Sequence, residues 1–335
     1  MNPPEFATHW AKELNCNADS LVSLQGGINN YVFRCGNRES YWVIKGYLTS
    51  KVGQRNRMQA EVEFLRYANL VAPGTVPELL AVDDKRNCVV LEHLEGEIFT
   101  EGMPPNQAAV TSAVNFFRQL NANHSKARHY ISMDAAEGFL SLSEHLKNIQ
   151  NRLDDMQCDH IPAMSKPQAE RLLNSMRNKY ETIFKITERK ISSGEVNDAI
   201  NPEERCISPS DFGFHNAIST TTGIKFIDFE FSGWDDPVKT VIDFILQPRV
   251  PVHERLSPLQ ASLQLRQPLE FQQRYDALLP ILQLKWECII LSILSPHRLA
   301  RILQKSPAPS TTSLISSRIA AVVSYRQNSN QFHAY

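Results

Sequence analysis

The stretch between Cys206 and Trp234 constrains this chain most, because two acids and an asparagine there surround an apolar segment. Asp211 is followed five residues later by Asn216, and after a Thr-rich turn the run Ile-Lys-Phe-Ile leads into Asp228. Carboxylate and amide oxygens are hard ligands of the kind that Mg²⁺ takes, usually one or two from the protein beside phosphate oxygens. A single acid in such a place is more often a turn or capping residue. The combination of three spaced polar groups is what indicates a site.

The stretch resembles the catalytic segment of the aminoglycoside phosphotransferase and choline-kinase superfamily. Its second half, the run from Ile227 to Pro237, is similar to the family pattern Ile-Asp-Trp-Glu…Gly-Asp-Pro. The resemblance implies that Asp211 receives the proton of the acceptor hydroxyl, while Asn216 and Asp228 hold Mg²⁺ on the phosphates of ATP.

The catalytic loop departs from the family pattern at two places. The family usually reads His-Gly-Asp, whereas this chain reads Pro209-Ser210-Asp211, and the loop interior is Phe-Gly-Phe-His rather than Leu-His-Pro-Gly. The missing histidine normally packs under the loop. Another brace is therefore expected, either the rigidity of the proline or the helix that carries Asp243.

The letters Asp-Phe-Gly at residues 211–213 also spell the magnesium motif of protein kinases. In that setting a catalytic Asp and Asn should lie upstream, ahead of an apolar strand. Only Asn197-Asp198 and Asn201 lie there, followed by Pro202 and charged residues. The apolar strand lies downstream instead, so the spacing favours Asp211 as the catalytic residue and Asp228 as the metal ligand.

Residues 20–93 read as strands around one helix, with Lys45 closing the apolar strand 41–45. The helix predicted over 57–69 carries Glu61 and Glu63 on one stripe. Matching the following Arg-Tyr pair to the family selects Glu61, and Glu63 remains an alternative. The resemblance implies that Lys45, held by this glutamate, aligns the α- and β-phosphates of ATP.

Two further segments are candidates for nucleotide binding. The turn containing Gly26 and Gly27 is a candidate phosphate-covering loop, because glycines allow the backbone to approach an anion closely; a plain hairpin is the more frequent use of such a turn. The run from Glu92 to Leu94 resembles the family's hinge, where adenine pairs with backbone groups.

From residue 104 onward the apolar periodicity predicts helices over 107–120, 135–153, 168–186, 237–246, within 253–304, and over 314–325. The predicted fold class is therefore α+β, a two-lobed protein-kinase-like fold. Residues 1–95 would form a small antiparallel-sheet lobe with one helix that binds nucleotide. Residues 96–335 would form the larger helical lobe with the catalytic loop and the acceptor site.

The composition narrows the environment and the partners. The net charge of −1 gives no indication of nucleic-acid or membrane binding, and six scattered cysteines without a C-x-x-C pair indicate a reducing compartment. No signal peptide is visible at the N-terminus, so the cytoplasm is expected. Residues 246–335 carry ten Lys or Arg against four Asp or Glu, which leaves residues 1–245 at −7. This basic third favours a neutral or anionic acceptor, whereas an acidic pocket from Glu230, Asp235 and Asp236 would favour an aminoglycoside.

The sequence thus predicts an enzyme that transfers phosphate from ATP, with Mg²⁺, to a hydroxyl of a small molecule such as a sugar, an aminoalcohol or an aminoglycoside-like compound. A protein kinase is the first alternative, but the chain lacks His-Arg-Asp and has no room for an activation loop between Asp228 and Gly233. The second is a nucleotide-binding pseudokinase that acts as a scaffold, suggested by the missing histidine. The acceptor, the preference for ATP over GTP and the oligomeric state stay open.

Overall fold

The computed structural model describes residues 3–24, 30–48, 55–252, 268–305 and 310–329. The chain divides into two compact units. The first comprises Met1–Gly138, Arg205–Thr240 and Arg249–Gln264, and the second comprises Phe139–Glu204, Val241–Pro248 and Leu265–Tyr335. Asp211, Asn216 and Asp228 all belong to the first unit.

Five strands of the first unit form an antiparallel sheet in the order β1-β2-β3-β5-β4. Their bounds are β1 Val22–Leu24, β2 Asn30–Gly36, β3 Tyr41–Tyr47, β4 Leu79–Asp83 and β5 Cys88–Glu92. β-Branched and aromatic side chains are frequent in β2, β3 and β5, which suits a pleated and largely buried surface. The register pairs Lys45 with Val89 and Val32, so this lysine lies in the central strand.

Helix α2, Arg57–Val71, follows β3 and begins at Asn56, whose side chain accepts a hydrogen bond from the backbone N–H three residues on. Its neighbour α3, Gln107–Leu120, begins in the same way at Asn106. The buried face of α2 is apolar except for Glu61. A buried carboxylate needs a partner, and this one finds it in the sheet.

Aromatic rings pack α2 and α3 against the segments that contain the predicted site. Phe64 of α2 stacks on Phe229 with ring centroids 4.4 Å apart, and Phe116 of α3 stacks on Phe226 at 4.9 Å. Phe212 contacts Phe226 at 5.2 Å. Burial of each ring contributes about 1.5–3 kcal/mol, and a well-arranged pair adds about 0.5–1.5 kcal/mol. The segments on both sides of the predicted site therefore rest on one core.

Short strands and helices complete the first unit: α1 Glu5–Glu13, β6 Glu97–Ile98, α4 His124–Ala127, β7 Cys206–Ser208, β8 Ala217–Thr220, β9 Gly223–Phe226 and β10 Gly233–Asp235. β7 pairs with β10, and β6, β8 and β9 form a second small sheet; all pairs are antiparallel. The β8–β9 hairpin turns at Gly223, whose φ of +126° favours glycine. Asp211 follows β7, and Asp228 follows β9.

The second unit is helical. Its helices in the described residues are α5 Leu142–Asp155, α6 Lys166–Ser192, α8 Pro268–Ile290, α9 Pro296–Lys305 and α10 Thr311–Ser329, and α7 Pro237–Leu246 adds the turns after Thr240. α8 packs against α5, α6 and α10. Ser141 and Glu144 form a capping box at the start of α5.

Buried carboxylates in the second unit are neutralised by cations. Glu287 of α8 accepts from Lys179 at 2.9 Å and from Arg326 at 2.7 Å. Asp243, predicted to brace the catalytic loop, binds the Lys285 ammonium at 2.5 Å and the indole N–H of Trp286 at 3.0 Å. These contacts give Asp243 a structural role within its own unit.

The predicted fold class is confirmed: an antiparallel sheet with a long helix precedes a helix-rich remainder. The helix predicted from residue 135 begins instead at Leu142, because the backbone N–H of Ala135 bonds to Trp234 O and that of Gly138 bonds to Ala135 O. α1 was not predicted. Residues 253–267 lie outside the described residues, and the described remainder, 268–304, contains two α-helices. None of the described helices has both the length and the apolar character needed to cross a membrane.

Candidate active site

A buried ion-pair cluster joins the sheet, α2 and the residue after β9. The Lys45 ammonium lies 2.6 Å from Glu61 Oε2 and 2.6 Å from Asp228 Oδ1. The side chains of Lys45 and Glu61 are 6% and 2% exposed. Burial alone would lower the pKa of Lys45, but the neighbouring carboxylates, Asp228 foremost, raise it above its ordinary value. The lysine is therefore held as a cation in a site that carries more acids than bases.

Glu61, rather than Glu63, is the glutamate that the structure places on Lys45. The Tyr47 hydroxyl donates to the same Glu61 Oε2 at 2.7 Å, so two donors fix this carboxylate. Burial, together with the Glu61 charge, raises the pKa of Tyr47. Glu63 lies on the exposed side of α2, where it accepts hydrogen bonds from the backbone N–H and the hydroxyl of Ser132.

Glu230 is a further acid of the cluster. The sequence analysis named it only as part of a possible acidic pocket for the acceptor. It is buried and accepts a hydrogen bond from Asn30 Nδ2 at 3.3 Å. Burial raises the pKa of Glu230, and the charge of Asp228 raises it further. The other amide atom, Asn30 Oδ1, is buried without a hydrogen-bond partner in the described part of the chain. Nothing in the sequence pairs Asn30 with a residue 200 positions away.

Arg55 ties the segment after Asp228 to the start of α2. Its guanidinium donates to three backbone carbonyls, those of Glu230 at 3.1 Å, Asp134 at 2.5 Å and Ser232. Burial lowers the pKa of Arg55 to about 10. The planar guanidinium suits such a fork of acceptors. Sequence reasoning missed this contact, since Arg55 follows a polar stretch with no motif.

Both segments that carry the predicted site contain a non-glycine residue with positive φ, Ser210 at +67° and Asp228 at +68°. This conformation costs about 1–3 kcal/mol for such a residue, and the surroundings must stabilise it. The Ser210 N–H donates to Ser208 Oγ, and its hydroxyl donates to Ala136 O, each at 3.0 Å. These two hydrogen bonds of Ser210 brace the loop that contains Asp211. The sequence analysis expected the brace to come from Pro209 or from the helix of Asp243.

The loop after β7 brings Asp211, His215 and Asn216 together. Asn216 Nδ2 donates to the backbone carbonyl of Asp211 at 3.0 Å and lies 3.4 Å from its Oδ2. His215 Nε2 lies 3.1 Å from Asp211 Oδ1. The contact with His215 was not predicted, although residues four apart in a turn often meet.

The donor chemistry of Asn216 and Asp228 fits Mg²⁺. The amide nitrogen of Asn216 is directed to Asp211, so the atom that this side chain can offer to a cation is its oxygen. The Asp228 side chain is 34% exposed and can be reached from outside. Within the described residues no group of three or more His, Cys, Asp or Glu side chains could hold a metal ion. Two oxygen donors suit a cation whose remaining ligands are phosphate oxygens.

No protein-family model and no curated protein matches the sequence. Solved structures do match. Choline kinase from Cryptosporidium parvum Iowa II is 12% identical, with 93% of this chain and 90% of that chain covered and a TM-score of 0.56. Spectinomycin phosphotransferase in complex with ADP and spectinomycin is also 12% identical, with 97% and 100% covered and a TM-score of 0.56. An amicoumacin kinase in complex with AMP-PNP and Ca²⁺ is 13% identical, with 98% and 94% covered and a TM-score of 0.53. The chain has the fold of these small-molecule phosphotransferases.

Of the other residues predicted to bind nucleotide, the structure describes Glu92 and Leu94. Gly26 and Gly27 lie outside the described residues. Glu92 ends β5, and its side chain accepts from Lys225 Nζ at 3.0 Å and from Glu78 N at 3.1 Å. These bonds occupy the Glu92 side chain in structural contacts. Leu94 follows the strand and is half-buried.

The acidic pocket considered in the sequence is not formed by Asp235 and Asp236. Both side chains are fully buried. Asp235 pairs with Lys239 at 2.6 Å, and Asp236 accepts from the backbone N–H of Val238 at 2.8 Å at the start of α7. These acids stabilise a helix start and do not offer negative charge to a ligand.

Proposed function

We propose that this chain is a phosphotransferase that uses ATP and Mg²⁺ to phosphorylate a hydroxyl group of a small molecule. The observation that carries the proposal is the buried cluster in which Lys45 is shared between Glu61 and Asp228, with Asp211 and Asn216 on a loop of the same compact unit. The fold shared with choline kinase and with spectinomycin phosphotransferase supports it, since the latter was solved with ADP.

Each side chain has a distinct task in this scheme. Lys45, oriented by Glu61, binds phosphate oxygens of the nucleotide. Asn216 and Asp228 hold Mg²⁺, which when bound neutralises charge on the transferred phosphate. Asp211 orients the acceptor hydroxyl and accepts its proton. Its side chain is 39% exposed, so an acceptor can approach it.

The nucleotide-binding lobe is proposed to be residues 1–95, and residues 96–335 are proposed to supply the catalytic loop and the acceptor site. Gly26 and Gly27 would cover the phosphates. Backbone groups of the segment from Glu92 to Leu94 would pair with adenine. The six cysteines are all free, which supports a reducing compartment, and we propose the cytoplasm.

The acceptor is proposed to be neutral or anionic, with a sugar favoured over a cationic aminoglycoside. Asp235 and Asp236 form ion-pair and hydrogen-bond contacts within the protein, and Glu230 is buried beside Asn30. These carboxylates are therefore poorly placed to bind a cationic acceptor. The excess of Lys and Arg over residues 246–335 points in the same direction.

A coupled assay of nucleotide turnover tests the proposal. Wild type would be assayed with Mg²⁺ and ATP or GTP against a panel of sugars, aminoalcohols and aminoglycosides, beside Asp211→Ala and Asp228→Ala. Asp159→Ala is a matched control, because that side chain is 94% exposed and far from the cluster in sequence. We expect turnover stimulated by one acceptor class and a loss of at least about 100-fold in both site variants.

Three results would contradict the proposal. Absence of nucleotide binding in a thermal-shift measurement would remove its basis. Full turnover in Asp211→Ala would remove the assigned role of that residue. Nucleotide binding without turnover on any acceptor would favour the scaffold function instead.

A further inference from the structure

His215 is a buried histidine in direct contact with the side chain proposed to receive the acceptor proton. Its side chain is 5% exposed, and its Nε2 lies 3.1 Å from Asp211 Oδ1. Its other nitrogen, Nδ1, is buried without a hydrogen-bond partner among the described residues. The imidazole therefore has one polar contact in the described structure, and that contact is Asp211.

The hydrogen on this imidazole belongs on Nε2. An ionised carboxylate only accepts hydrogen bonds, so the nitrogen that faces Asp211 must donate. With the hydrogen on Nδ1 instead, a lone pair of His215 Nε2 would face a carboxylate oxygen while the Nδ1–H stayed buried without an acceptor. The surroundings thus favour the Nε2–H tautomer.

The backbone on both sides of His215 is fixed. The Phe214 ring is fully buried against Phe99 at a centroid distance of 4.9 Å. The Asn216 N–H donates to Gly213 O at 3.0 Å, and its carbonyl accepts from Ile227 N at 2.9 Å. The imidazole is therefore presented to Asp211 by a turn that is anchored to the core.

We propose that His215 is a positioning residue for Asp211, an inference that rests on the proposed function. Oδ1 of the carboxylate accepts from His215, and Oδ2 lies 3.4 Å from Asn216 Nδ2, so donors on two adjacent residues of the loop set the plane of the carboxylate. An acceptor hydroxyl then meets a carboxylate that is already oriented. The activation barrier of the transfer therefore does not include the entropic cost of fixing the Asp211 rotamer. Loss of His215 should lower kcat and leave the KM for nucleotide nearly unchanged.

Imidazole NMR of the ¹⁵N-histidine-labelled protein, without ligand, tests the hydrogen bond itself. The His215 signals are assigned by their absence in His215→Gln. We expect the Nε2–H tautomer in wild type and a clear change of these signals in Asp211→Ala. An Nδ1–H tautomer, or signals that do not respond to Asp211→Ala, would overturn the proposal.

Kinetics with the acceptor class found in the panel test the consequence. His215→Leu removes the donor, and we expect kcat to fall by about 10- to 100-fold with the KM for ATP within about twofold. His215→Gln places an amide nitrogen near the position of Nε2, and we expect it to recover most of kcat. His129→Leu, on an exposed histidine whose ring Nδ1 contacts the Ser125 carbonyl, is the matched control and should retain wild-type kcat.

The positioning role of His215 and the proposed phosphotransferase function can be disproved separately. If wild type turns over and His215→Leu keeps its kcat, or if His215→Gln falls as low as His215→Leu, the positioning role is wrong while the phosphotransferase stands. If wild type transfers phosphate to no acceptor, the proposed function is wrong, and the NMR measurement alone decides whether His215 holds Asp211.

Discussion

The Lys45 cluster and the Asp211 loop belong to the same compact unit, yet they are held in opposite ways. Lys45 and Glu61 lie on a central strand and a long helix, are almost fully buried, and meet through ion pairs at 2.6 Å. Asp211 lies on an irregular loop, is 39% exposed, and is fixed by hydrogen bonds from its own neighbours. In the proposed function, charge on regular elements would give a rigid site for the phosphates of the nucleotide, whereas a hydrogen-bonded loop would keep a carboxylate open to an incoming hydroxyl.

This contrast implies different sensitivities. Removal of one charge from the buried cluster leaves its partners without compensation in a medium that solvates them poorly. Removal of one hydrogen bond to Asp211 in the loop affects orientation more than stability, because water can reach this partly exposed carboxylate. Substitutions in the cluster should therefore change both folding and turnover, and substitutions in the loop should change mainly turnover.

The largest effect is expected for Lys45→Met. The substitution leaves Glu61 and Asp228 without their cation, and the free energy of unfolding should fall by about 3–5 kcal/mol, the range measured when one partner of a buried pair is removed. Nucleotide binding should be lost as well. Urea unfolding at neutral pH and a thermal-shift measurement with ATP check both expectations.

Lys166→Met is the matched control for Lys45→Met, since Lys166 is also paired with an aspartate but lies at the surface. It should leave unfolding unchanged. Equal unfolding curves for Lys45→Met and wild type would mean that the cluster is not held by its charges.

A smaller effect is expected in the loop, where Ser210→Ala and Ser210→Gly separate strain from hydrogen bonding. Ser210→Ala keeps the φ of +67° and loses the bond to Ala136 O, so it should lower the free energy of unfolding by about 1 kcal/mol. Ser210→Gly also loses the bond but relieves the strain, and its stability should lie near that of wild type. Urea unfolding of both variants measures the difference; the reverse order would show that Ser210 is not strained.

Each of the two regions was predicted from the sequence only in part. Lys45 and α2 were predicted because a β-branched and aromatic run in the strand and periodicity in the helix are local signals. The bonds of Asn30 to Glu230 and of Arg55 to Ser232 join residues 200 and 177 positions apart, and no local pattern encodes such a pair. The brace at Ser210 depends on a backbone angle that its residue type does not indicate.

A tertiary contact of this kind also involves helix α1, which was not predicted. Its Phe6 ring occupies the space above Gly46, where a side chain on β3 would collide with it. From the sequence alone, Gly46 would be expected to weaken the strand. The fold shows that it makes room for the Phe6 ring, which belongs to a helix about 40 residues earlier. Most of the regular elements were thus predictable from periodicity, with α1 as an exception, whereas the contacts that orient the elements depend on tertiary packing.

The smallest effect on stability is expected for Glu230→Gln, which tests whether the Lys45 cluster contains more acids than bases. Burial, with the charge of Asp228, raises the pKa of Glu230 in the folded state, so the folded protein holds this proton more tightly than the unfolded chain does. The stabilising contribution of the protonated form is complete below the ordinary carboxyl pKa and is lost as the pH rises through the folded pKa. A neutral glutamine avoids that loss while its oxygen can still accept from Asn30. Glu230→Gln should therefore be more stable than wild type at pH 8, with an advantage that shrinks toward pH 4, in urea unfolding series over that range.

Glu170→Gln, at an exposed glutamate, should show no such trend. An advantage for Glu230→Gln that grows toward low pH would mean that Glu230 is stabilised as an anion by Lys45, and that the cluster is balanced in charge rather than over-supplied with acids.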